Sequence, residues 1–353
     1  MDALRVTSAL GLAPELQQRI ETLDSRVRLQ VLTPTQRRLY RGGRPIWIGY
    51  REGPGEHDES EDEAREGLRR VLAETDVLLT TPVVPPDLHE LAPALRWVQL
   101  TSAGVDRLLE SPLLARGVLV TTASGIHGIP IGEYVLAGML ALAKGLPQAM
   151  AAQRERVWRP YVPEELAGRT LGIVGLGAIG SHLARLARAF QMRVIAVRRS
   201  CQRPQERPPD APDVDLLLPP SHLDRLLSEV DYVALCVPLT RETQGLIGRR
   251  ELALMRPGAV LINIARGPVV DEEALIEALR EGRLGGAVLD VFQREPLPPE
   301  SELWEMPNVI LTPHISGGTP RYMERAIDIF CDNLRRFLAG QPLRNLVDPQ
   351  RGY

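Results

Sequence analysis

The chain has 353 residues, of which 44% are hydrophobic and 25% charged, and its formal net charge is −3. This balance provides no basic excess to bind nucleic acid, and no acidic run is long enough to form a solubilising tail. The length exceeds what one hydrophobic core usually supports, so we expect two domains.

The N-terminal stretch MDALRVTSALGLAPELQQ lacks a basic start followed by an apolar core, so we predict no secretory signal. The longest apolar run, Tyr134–Ala143, is too short to span a bilayer. The three cysteines are scattered and follow neither a metal-ligand spacing nor a disulfide pattern. We therefore expect a cytoplasmic protein with no bound metal and no membrane partner.

Residues 1–122 contain several short apolar runs, with helical segments such as Glu61–Leu72 between some of them. Alternating strands and helices predict a small α/β domain with its own parallel sheet, of flavodoxin-like type. The strand-like runs are Leu4–Val6, Leu29–Leu32, Ile46–Ile48, Val77–Leu79, Trp97–Leu100 and Val118–Val120.

The segment TSAGVD, Thr101–Asp106, directly follows the fifth of these runs. A glycine at a strand end can expose backbone N–H groups, and an anion such as a carboxylate could bind there. The same residues also suit an ordinary loop leading into a helix at Asp106–Leu109. The local sequence does not decide between these two interpretations.

Residues 123–160 combine a linker with a long apolar helix. Glycines and a proline interrupt the chain near its start, and Ile131–Leu146 is then apolar almost all round. A helix of this kind is usually buried between domains or subunits. We place the domain boundary near residue 123.

The segment Thr170–Ser200 has the pattern of a dinucleotide-binding unit. A strand-like run, Leu171–Val174, precedes the glycine spacing G-x-G-x-x-G, and an amphipathic helix and a second run, Val194–Val197, follow it. Such glycines permit a tight turn, the approach of a pyrophosphate, and close packing of helix on strand. The helix N-terminus then presents unpaired N–H groups to the phosphates. The glycines are Gly175, Gly177 and Gly180.

Four further strand-like runs follow, which bring the predicted total in this domain to six, the number in a doubly wound dinucleotide domain. We interpret the proline-rich residues 200–220 as an irregular loop. The last helix, Pro320–Ala339, comes after the sixth strand and is expected to pack on the first domain. The prediction is thus a Rossmann domain, 123–312, inserted into a smaller substrate domain formed by 1–122 and 313–353. The four runs are Tyr232–Val237, Val260–Ile264, Ala287–Leu289 and Val309–Leu311.

The residues after the second Rossmann strand indicate which nicotinamide cofactor binds. This fold usually carries an acidic residue there to hold the ribose hydroxyls, but here the residues are Arg198, Arg199 and Ser200. Two guanidinium groups and a hydroxyl would bind a 2′-phosphate, which a carboxylate would repel. The arginines could also simply be solvated. We predict NADP as the preferred cofactor, with NAD use left open.

Three charged or titratable residues follow strand-like runs in the second half of the chain: Arg266, Glu295 and His314. Each alone has an ordinary explanation, as a surface ion pair, a solvated loop residue or a helix-start residue. The carboxyl ends of the strands in a doubly wound sheet converge on one crevice, where ligands bind. We therefore predict that the three side chains lie together at a catalytic site.

The motifs GLGAIG (175–180), LINIARG (261–267), AVLDVFQREPLP (287–298) and LTPHISGGT (311–319) resemble those of the D-isomer-specific 2-hydroxyacid dehydrogenases. The resemblance implies a discontinuous substrate domain, an inserted Rossmann domain, a cleft between them, and a homodimer. It places the substrate carboxylate on the backbone of Ala103 and Gly104, and the nicotinamide carboxamide on Asp290. The remaining positions that match cofactor contacts are Ala178, Ile179, Val237, Pro238, Thr243, Ile264, Ala265, His314 and Gly317.

The activity that this resemblance implies is hydride transfer between NAD(P)H and the C2 carbonyl of a 2-oxo acid, giving a D-2-hydroxy acid. His314 would supply the proton, because the pKa of histidine lies nearest neutral pH. Glu295 would orient the imidazole and favour its charged form. Arg266 would bind the substrate carboxylate and polarise the carbonyl.

Two positions narrow the branch of the family. A formate-specific member would carry Gln in place of Glu295, so a glyoxylate/hydroxypyruvate-type reductase is favoured. Thr101 stands where several members have a basic residue, so the shape of the substrate stays open. The alternative function is a nucleotide-sensing corepressor on the same fold, since such proteins keep the dehydrogenase motifs.

Overall fold

The protein, seen here in a computed structural model, is described at residues 3–44, 59–105, 108 and 111–349, and it divides into two units. The first unit consists of Met1–Ile126 and Gly318–Tyr353, and the second of His127–Gly317. The predicted run Ile46–Ile48 lies outside the described residues.

The first unit is built on a five-stranded parallel sheet with the order β2-β1-β3-β4-β5. This is the flavodoxin-like strand order, and it confirms the α/β class predicted for this part of the chain. The elements are β1 (Leu4–Ser8), α1 (Pro14–Glu21), β2 (Val27–Val31), α2 (Pro34–Tyr40), α3 (Glu61–Ala73), β3 (Val77–Thr80), α4 (Leu88–Leu91), β4 (Trp97–Leu100), α5 (Pro112–Ala115) and β5 (Leu119–Thr121).

The second unit is built on an eight-stranded sheet with the order β13-β12-β11-β10-β6-β7-β9-β8. Six of these strands, in the order β9-β7-β6-β10-β11-β12, form the inner part of the sheet. Numbered along the chain, with β6 as strand 1, they have the Rossmann order 3-2-1-4-5-6. The elements are α6 (Gly128–Ala143), α7 (Leu146–Glu155), β6 (Thr170–Val174), α8 (Ala178–Ala189), β7 (Arg193–Val197), β8 (Gln205–Glu206), β9 (Leu216–Leu218), α9 (Leu223–Glu229), β10 (Tyr232–Leu235), α10 (Arg249–Leu254), β11 (Val260–Asn263), α11 (Glu272–Arg280), β12 (Gly286–Leu289) and β13 (Val309–Leu311).

The interpretation of residues 200–220 as an irregular loop is wrong, because this segment contributes two strands. β9 pairs in parallel with β7, and β8 forms a short antiparallel pair with β9. All three leucines of β9 are buried, so the strand shows no alternation of polar and apolar residues. A buried run of only three residues next to a proline-rich segment gives little periodic signal.

The chain leaves the first unit after Ile126 and returns to it after Gly317. Each point lies a few residues beyond the predicted boundaries at 122 and 312. The N–H of Ala123 donates to Ser102 O at 2.8 Å, and Ile126 packs with Ala326, so residues 123–126 stay with the first unit. The N–H groups of Ile315 and Ser316 both donate to Asp290, so residues 313–317 stay with the second. Local hydrogen bonds therefore decide where each unit ends.

The C-terminal helix α12, Tyr322–Leu338, belongs to the first unit. Phe330 and Phe337 stack on Trp97, and their ring centroids lie 5.3 and 5.4 Å, respectively, from that of Trp97. Asn333 is fully buried and donates to Gln99 Oε1 at 3.0 Å. Aromatic packing and a buried hydrogen bond thus attach α12 to β4.

No single helix in the described residues is long and apolar enough to cross a membrane, although α6 and α7 together, bent by 60°, reach that length and composition. No group of three or more His, Cys, Asp or Glu side chains in the described ranges is arranged to hold a metal ion.

Candidate active site

The turn between β6 and α8 forms a cradle for an anion. Gly175 has φ +103°, and a Cβ placed there would lie 2.7 Å from Cys236 O, while a Cβ at Gly180 would lie 2.4 Å from Gly175 O. Gly177, by contrast, faces open space, and no side chain caps the helix that begins at Ala178. The first-turn N–H groups have no partners within the helix. An open approach beside unpaired donors fits the pyrophosphate of a dinucleotide.

Arg198 follows β7, as predicted, but it has a carboxylate partner that the sequence analysis missed. Its Nη2 donates to Asp210 Oδ2 at 2.6 Å, and the two side chains are 26% and 56% exposed. This hydrogen bond lowers the pKa of Asp210 below its usual range. Asp210 reaches this point because β9 pairs with β7 and brings the intervening segment back to the same sheet edge. Arg199 and Ser200 are exposed beside it.

The other predicted cofactor residues of this unit follow β10, β11 and β13. Thr243 donates its hydroxyl to Pro238 O at 2.6 Å and accepts the N–H of Thr240 at 2.8 Å, which fixes the loop after β10. A Cβ at Gly317 would lie 2.9 Å from the ring of His127, so this position has room for glycine only unless that ring shifts. Of the remaining positions, Val237 follows β10 and Ile264 and Ala265 follow β11, whereas Ile179 lies in the first turn of α8.

His314 and Glu295 form a hydrogen-bonded pair at the ends of β13 and β12. The distance between His314 Nδ1 and Glu295 Oε2 is 2.9 Å, and Glu295 Oε1 accepts the N–H of Phe292 at 3.2 Å. Burial by itself would raise the pKa of Glu295. The hydrogen bond and charge of His314, the Phe292 N–H and the charge of Arg266 outweigh it and lower that pKa. Glu295 is therefore ionised near neutral pH.

Arg266 is placed by the tight turn that follows β11. Asn263 Nδ2 donates to Arg266 O at 3.1 Å, and Asn263 Oδ1 accepts the N–H of Ala265 at 3.1 Å. The next residue, Gly267, lies so close to the chain that a Cβ there would be 1.9 Å from Phe292 O. A glycine at 267 thus lets the β11 and β12 loops touch, which brings Arg266 within electrostatic reach of Glu295.

The backbone of His314 lies in the left-handed region, with φ +55°. A non-glycine residue held there typically costs about 1–3 kcal/mol and persists only where surrounding bonds over-determine the geometry. Its N–H donates to Thr312 O at 3.0 Å, and the next two N–H groups donate to Asp290, both at 2.8 Å. The turn is thus held on both sides of the histidine.

Asp290, at the end of β12, is fully buried and forms the centre of this arrangement. Besides Ile315 and Ser316, it accepts the hydroxyl of Thr312 at 2.5 Å, and that hydroxyl lies 2.6 Å from Tyr134 Oη. Asp290 is predicted to bind the nicotinamide carboxamide only by resemblance, and neither Thr312 nor Tyr134 is predicted from the sequence. Thr312 lies within the LTPH motif, which gave a signal, whereas Tyr134 resembles the other residues of an apolar helix.

The predicted substrate residues Ala103 and Gly104 belong to the first unit, where they follow β4. Ser102 donates its hydroxyl to Gly104 O at 2.8 Å, and Tyr322 of α12 donates to Thr101 O at 2.8 Å. These bonds order the start of the TSAGVD segment, of which Asp106 lies outside the described residues. The structure thus brings Arg266, Glu295 and His314 together within the second unit.

Comparison with known proteins extends over both units. A family model described as D-isomer specific 2-hydroxyacid dehydrogenase, NAD binding domain, matches residues 136–316. The glyoxylate reductase of Thermococcus litoralis is 38% identical over 292 residues, which cover 80% of this chain and 86% of that protein. A D-isomer specific 2-hydroxyacid dehydrogenase from Xanthobacter autotrophicus Py2, crystallised with NADPH and MES, is 30% identical with a TM-score of 0.77 and 100% coverage of both chains. An NADPH-dependent glyoxylate/hydroxypyruvate reductase from Sinorhizobium meliloti, in complex with NADP and sulfate, is 26% identical with a TM-score of 0.76, covering 99% of this chain and 100% of that one.

Proposed function

The chain belongs to the D-isomer-specific 2-hydroxyacid dehydrogenase family, and from that premise we propose a glyoxylate/hydroxypyruvate-type reductase that prefers NADP. It is an NAD(P)-dependent 2-oxo acid reductase. When bound, the reduced cofactor supplies a hydride to the C2 carbonyl. The observation that carries the proposal for the site is the His314–Glu295 pair, 2.9 Å apart, with Arg266 beside it.

His314 is the proposed proton donor to the carbonyl oxygen. An ionised carboxylate only accepts hydrogen bonds, so His314 Nδ1 is the donor toward Glu295. The other ring nitrogen, Nε2, is the proposed carrier of the proton for the substrate. Glu295 stabilises the protonated ring and fixes its orientation. The pair can thus deliver a proton at neutral pH.

Arg266 is the proposed anchor for the substrate carboxylate. Its guanidinium offers several donors in a fixed plane, so it can bind a carboxylate through two charge-assisted bonds and also polarise the adjacent carbonyl. The close packing at Gly267 holds the backbone of this arginine in place. The role of Ala103 and Gly104 in holding the same carboxylate stays a prediction.

The proposed substrates are small 2-oxo acids, because relatives of this chain are named glyoxylate and glyoxylate/hydroxypyruvate reductases. We expect kcat/KM with NADPH to be highest for glyoxylate or hydroxypyruvate and at least about tenfold lower for phenylpyruvate, whose larger side chain must fit the same pocket. Steady-state assays over a series of 2-oxo acids, with both cofactors, measure this. A preference for phenylpyruvate would contradict the substrate class. No oxidation of NADPH with any of these acids would favour the corepressor alternative.

We also propose that the protein is a cytoplasmic homodimer. In the described residues, twelve large hydrophobic side chains are exposed, and seven of them lie between positions 129 and 162. Trp158 and Val162 are each 94% exposed. A concentration of exposed large apolar side chains in one segment is typical of a protein–protein interface. Sedimentation is expected to give twice the mass of the chain, and a single species at the chain mass would contradict a dimer.

The cytoplasm is proposed because Cys201, Cys236 and Cys331 are all free thiols.

A further inference from the structure

A chain of hydroxyl groups connects helix α6 to the turn that carries His314. Tyr134 Oη lies 2.6 Å from Thr312 Oγ1, and Thr312 Oγ1 donates to Asp290 Oδ1 at 2.5 Å. A threonine hydroxyl has one proton, so once it donates to Asp290 it can only accept from Tyr134. Burial, only partly offset by the bond to Thr312, raises the pKa of Tyr134 to about 12, so the phenol stays protonated and is the donor. The hydrogen bonds therefore run in one direction, from Tyr134 through Thr312 to Asp290.

These hydrogen bonds reach the backbone on both sides of His314, the proposed proton donor. Thr312 stands two residues before His314, and its carbonyl accepts the His314 N–H at 3.0 Å. The carboxylate that Thr312 contacts also accepts the two N–H groups that follow His314. Asp290 is completely buried, so rotation of Thr312 would leave a buried carboxylate one donor short. The Thr312 hydroxyl is thus coupled to the left-handed turn.

We propose that Thr312, oriented by Tyr134, is a positioning residue that holds His314 in its productive geometry. The proposal rests on the proposed role of His314 as the proton donor. The juxtaposition of Tyr134, Thr312 and Asp290 around that turn carries it. Proton transfer depends on the placement of the donor to within a fraction of an ångström, so a small rotation of this turn is expected to lower turnover more than substrate binding.

The tyrosine ring and the tyrosine hydroxyl have separate roles. α6 is already packed on the sheet by apolar contacts, since Val135 and Met139 are fully buried and Gly138 lies directly against Val288. A phenylalanine at 134 keeps the ring and removes only the hydroxyl. The hydroxyl can therefore be tested with little disturbance of the packing.

The experiment compares Thr312→Val, Thr312→Ser and Tyr134→Phe in the full-length protein. Thr312→Val keeps the shape and loses both bonds, so we expect kcat to fall about tenfold, with KM for the 2-oxo acid within about twofold of wild type. Thr312→Ser keeps the hydroxyl and should restore kcat to within about twofold. Tyr134→Phe should lower kcat about threefold, because Thr312 can still donate to Asp290. The double variant Tyr134→Phe/Thr312→Val should be no worse than Thr312→Val alone, since both changes act through one hydroxyl.

Tyr232→Phe is the matched control, because Tyr232 is also a mostly buried tyrosine but stands at the amino end of β10, away from the strand ends that carry the site. Thermal unfolding of each variant establishes that the assays use folded protein. A kcat for Thr312→Val equal to wild type, or a full additive loss in the double variant, would overturn the inference. If His314 itself can be replaced without loss of turnover, the proposed function of that residue fails instead, so the two failures are distinguishable.

Discussion

Replacing His314 with asparagine is expected to lower kcat for 2-oxo acid reduction by about 10²- to 10⁴-fold, the range that a positioned general acid contributes. Asparagine is chosen because it tolerates the left-handed backbone at φ +55° better than most residues. Its amide can still bond to Glu295 but cannot transfer a proton. Steady-state kinetics with NADPH measure turnover, and quenching of tryptophan fluorescence measures cofactor binding, which is expected to survive.

The matched control is His222→Asn, which changes a half-buried histidine whose Nδ1 lies 3.2 Å from Ser221 Oγ. Its kcat should stay within about twofold of wild type, as is usual for surface changes. An His314→Asn enzyme with more than about a tenth of wild-type turnover would contradict the assignment of His314 as the general acid.

Glu295→Gln tests the carboxylate of the His314–Glu295 pair. In the wild type the pKa of Glu295 is depressed below its ordinary value of 4.5, so the favourable carboxylate is present above that pH and is lost only as the pH falls through the lowered value. We therefore expect no loss of activity from this group between pH 5 and neutrality. In Glu295→Gln the imidazole loses its anionic partner and its fixed orientation, so kcat/KM near neutral pH should fall by about 10- to 100-fold. A kcat/KM equal to that of the wild type would argue against support of His314 by Glu295.

Five strands of the second unit could be predicted because they are largely buried runs of four or five mostly apolar residues. The strands β8 and β9, which were not predicted, are too short and too close to prolines for that signal. Arg266, Glu295 and His314 could be predicted for a similar reason. Arg266 and His314 each stand three residues after a strand, and Glu295 stands six residues after β12. The geometry of a doubly wound sheet brings successive strand ends together, so these loops can be placed without any knowledge of side-chain positions.

The residues that support this site depend on contacts that no spacing reveals. Tyr134 and Thr312 are 178 positions apart, and they meet only because α6 packs on the sheet beside β12. Asp210 is 12 positions from Arg198, across a segment whose path depends on the unpredicted strand β9. Tertiary packing brings supporting residues such as Tyr134 and Asp210 to their hydrogen-bond partners. The sequence pattern predicts only the helices, the strands and the residues at their ends.

The cofactor preference is expected to be reversed by Arg198→Asp. We expect wild-type kcat/KM to be higher with NADPH than with NADH, and the variant to lose about 10- to 100-fold with NADPH while keeping or improving its use of NADH. The 2′-phosphate would lose a charge-assisted hydrogen bond and meet a carboxylate, whereas a 2′-hydroxyl could donate to that carboxylate. The ratio of the two kcat/KM values, measured at fixed ionic strength, tests this directly.

Arg203→Asp is the control for the change in charge. Arg203 is exposed in the same segment, but it lies further along the chain than Arg198, which comes directly after β7. It should alter the ratio by less than about twofold if position, and not net charge, determines the preference. Equal or better use of NADH by the wild type would contradict NADP as the preferred cofactor.

The partner of Arg198 limits how strong this preference should be. Asp210 Oδ2 lies 2.6 Å from Arg198 Nη2, so a bound 2′-phosphate must share the guanidinium with an existing carboxylate, or displace it. A negative charge at that distance offsets part of the attraction that Arg198 offers to a phosphate. Asp210 is more than half exposed, so water and salt screen its effect without removing it. We therefore expect wild type to favour NADPH by about tenfold and not a thousandfold, with measurable turnover on NADH.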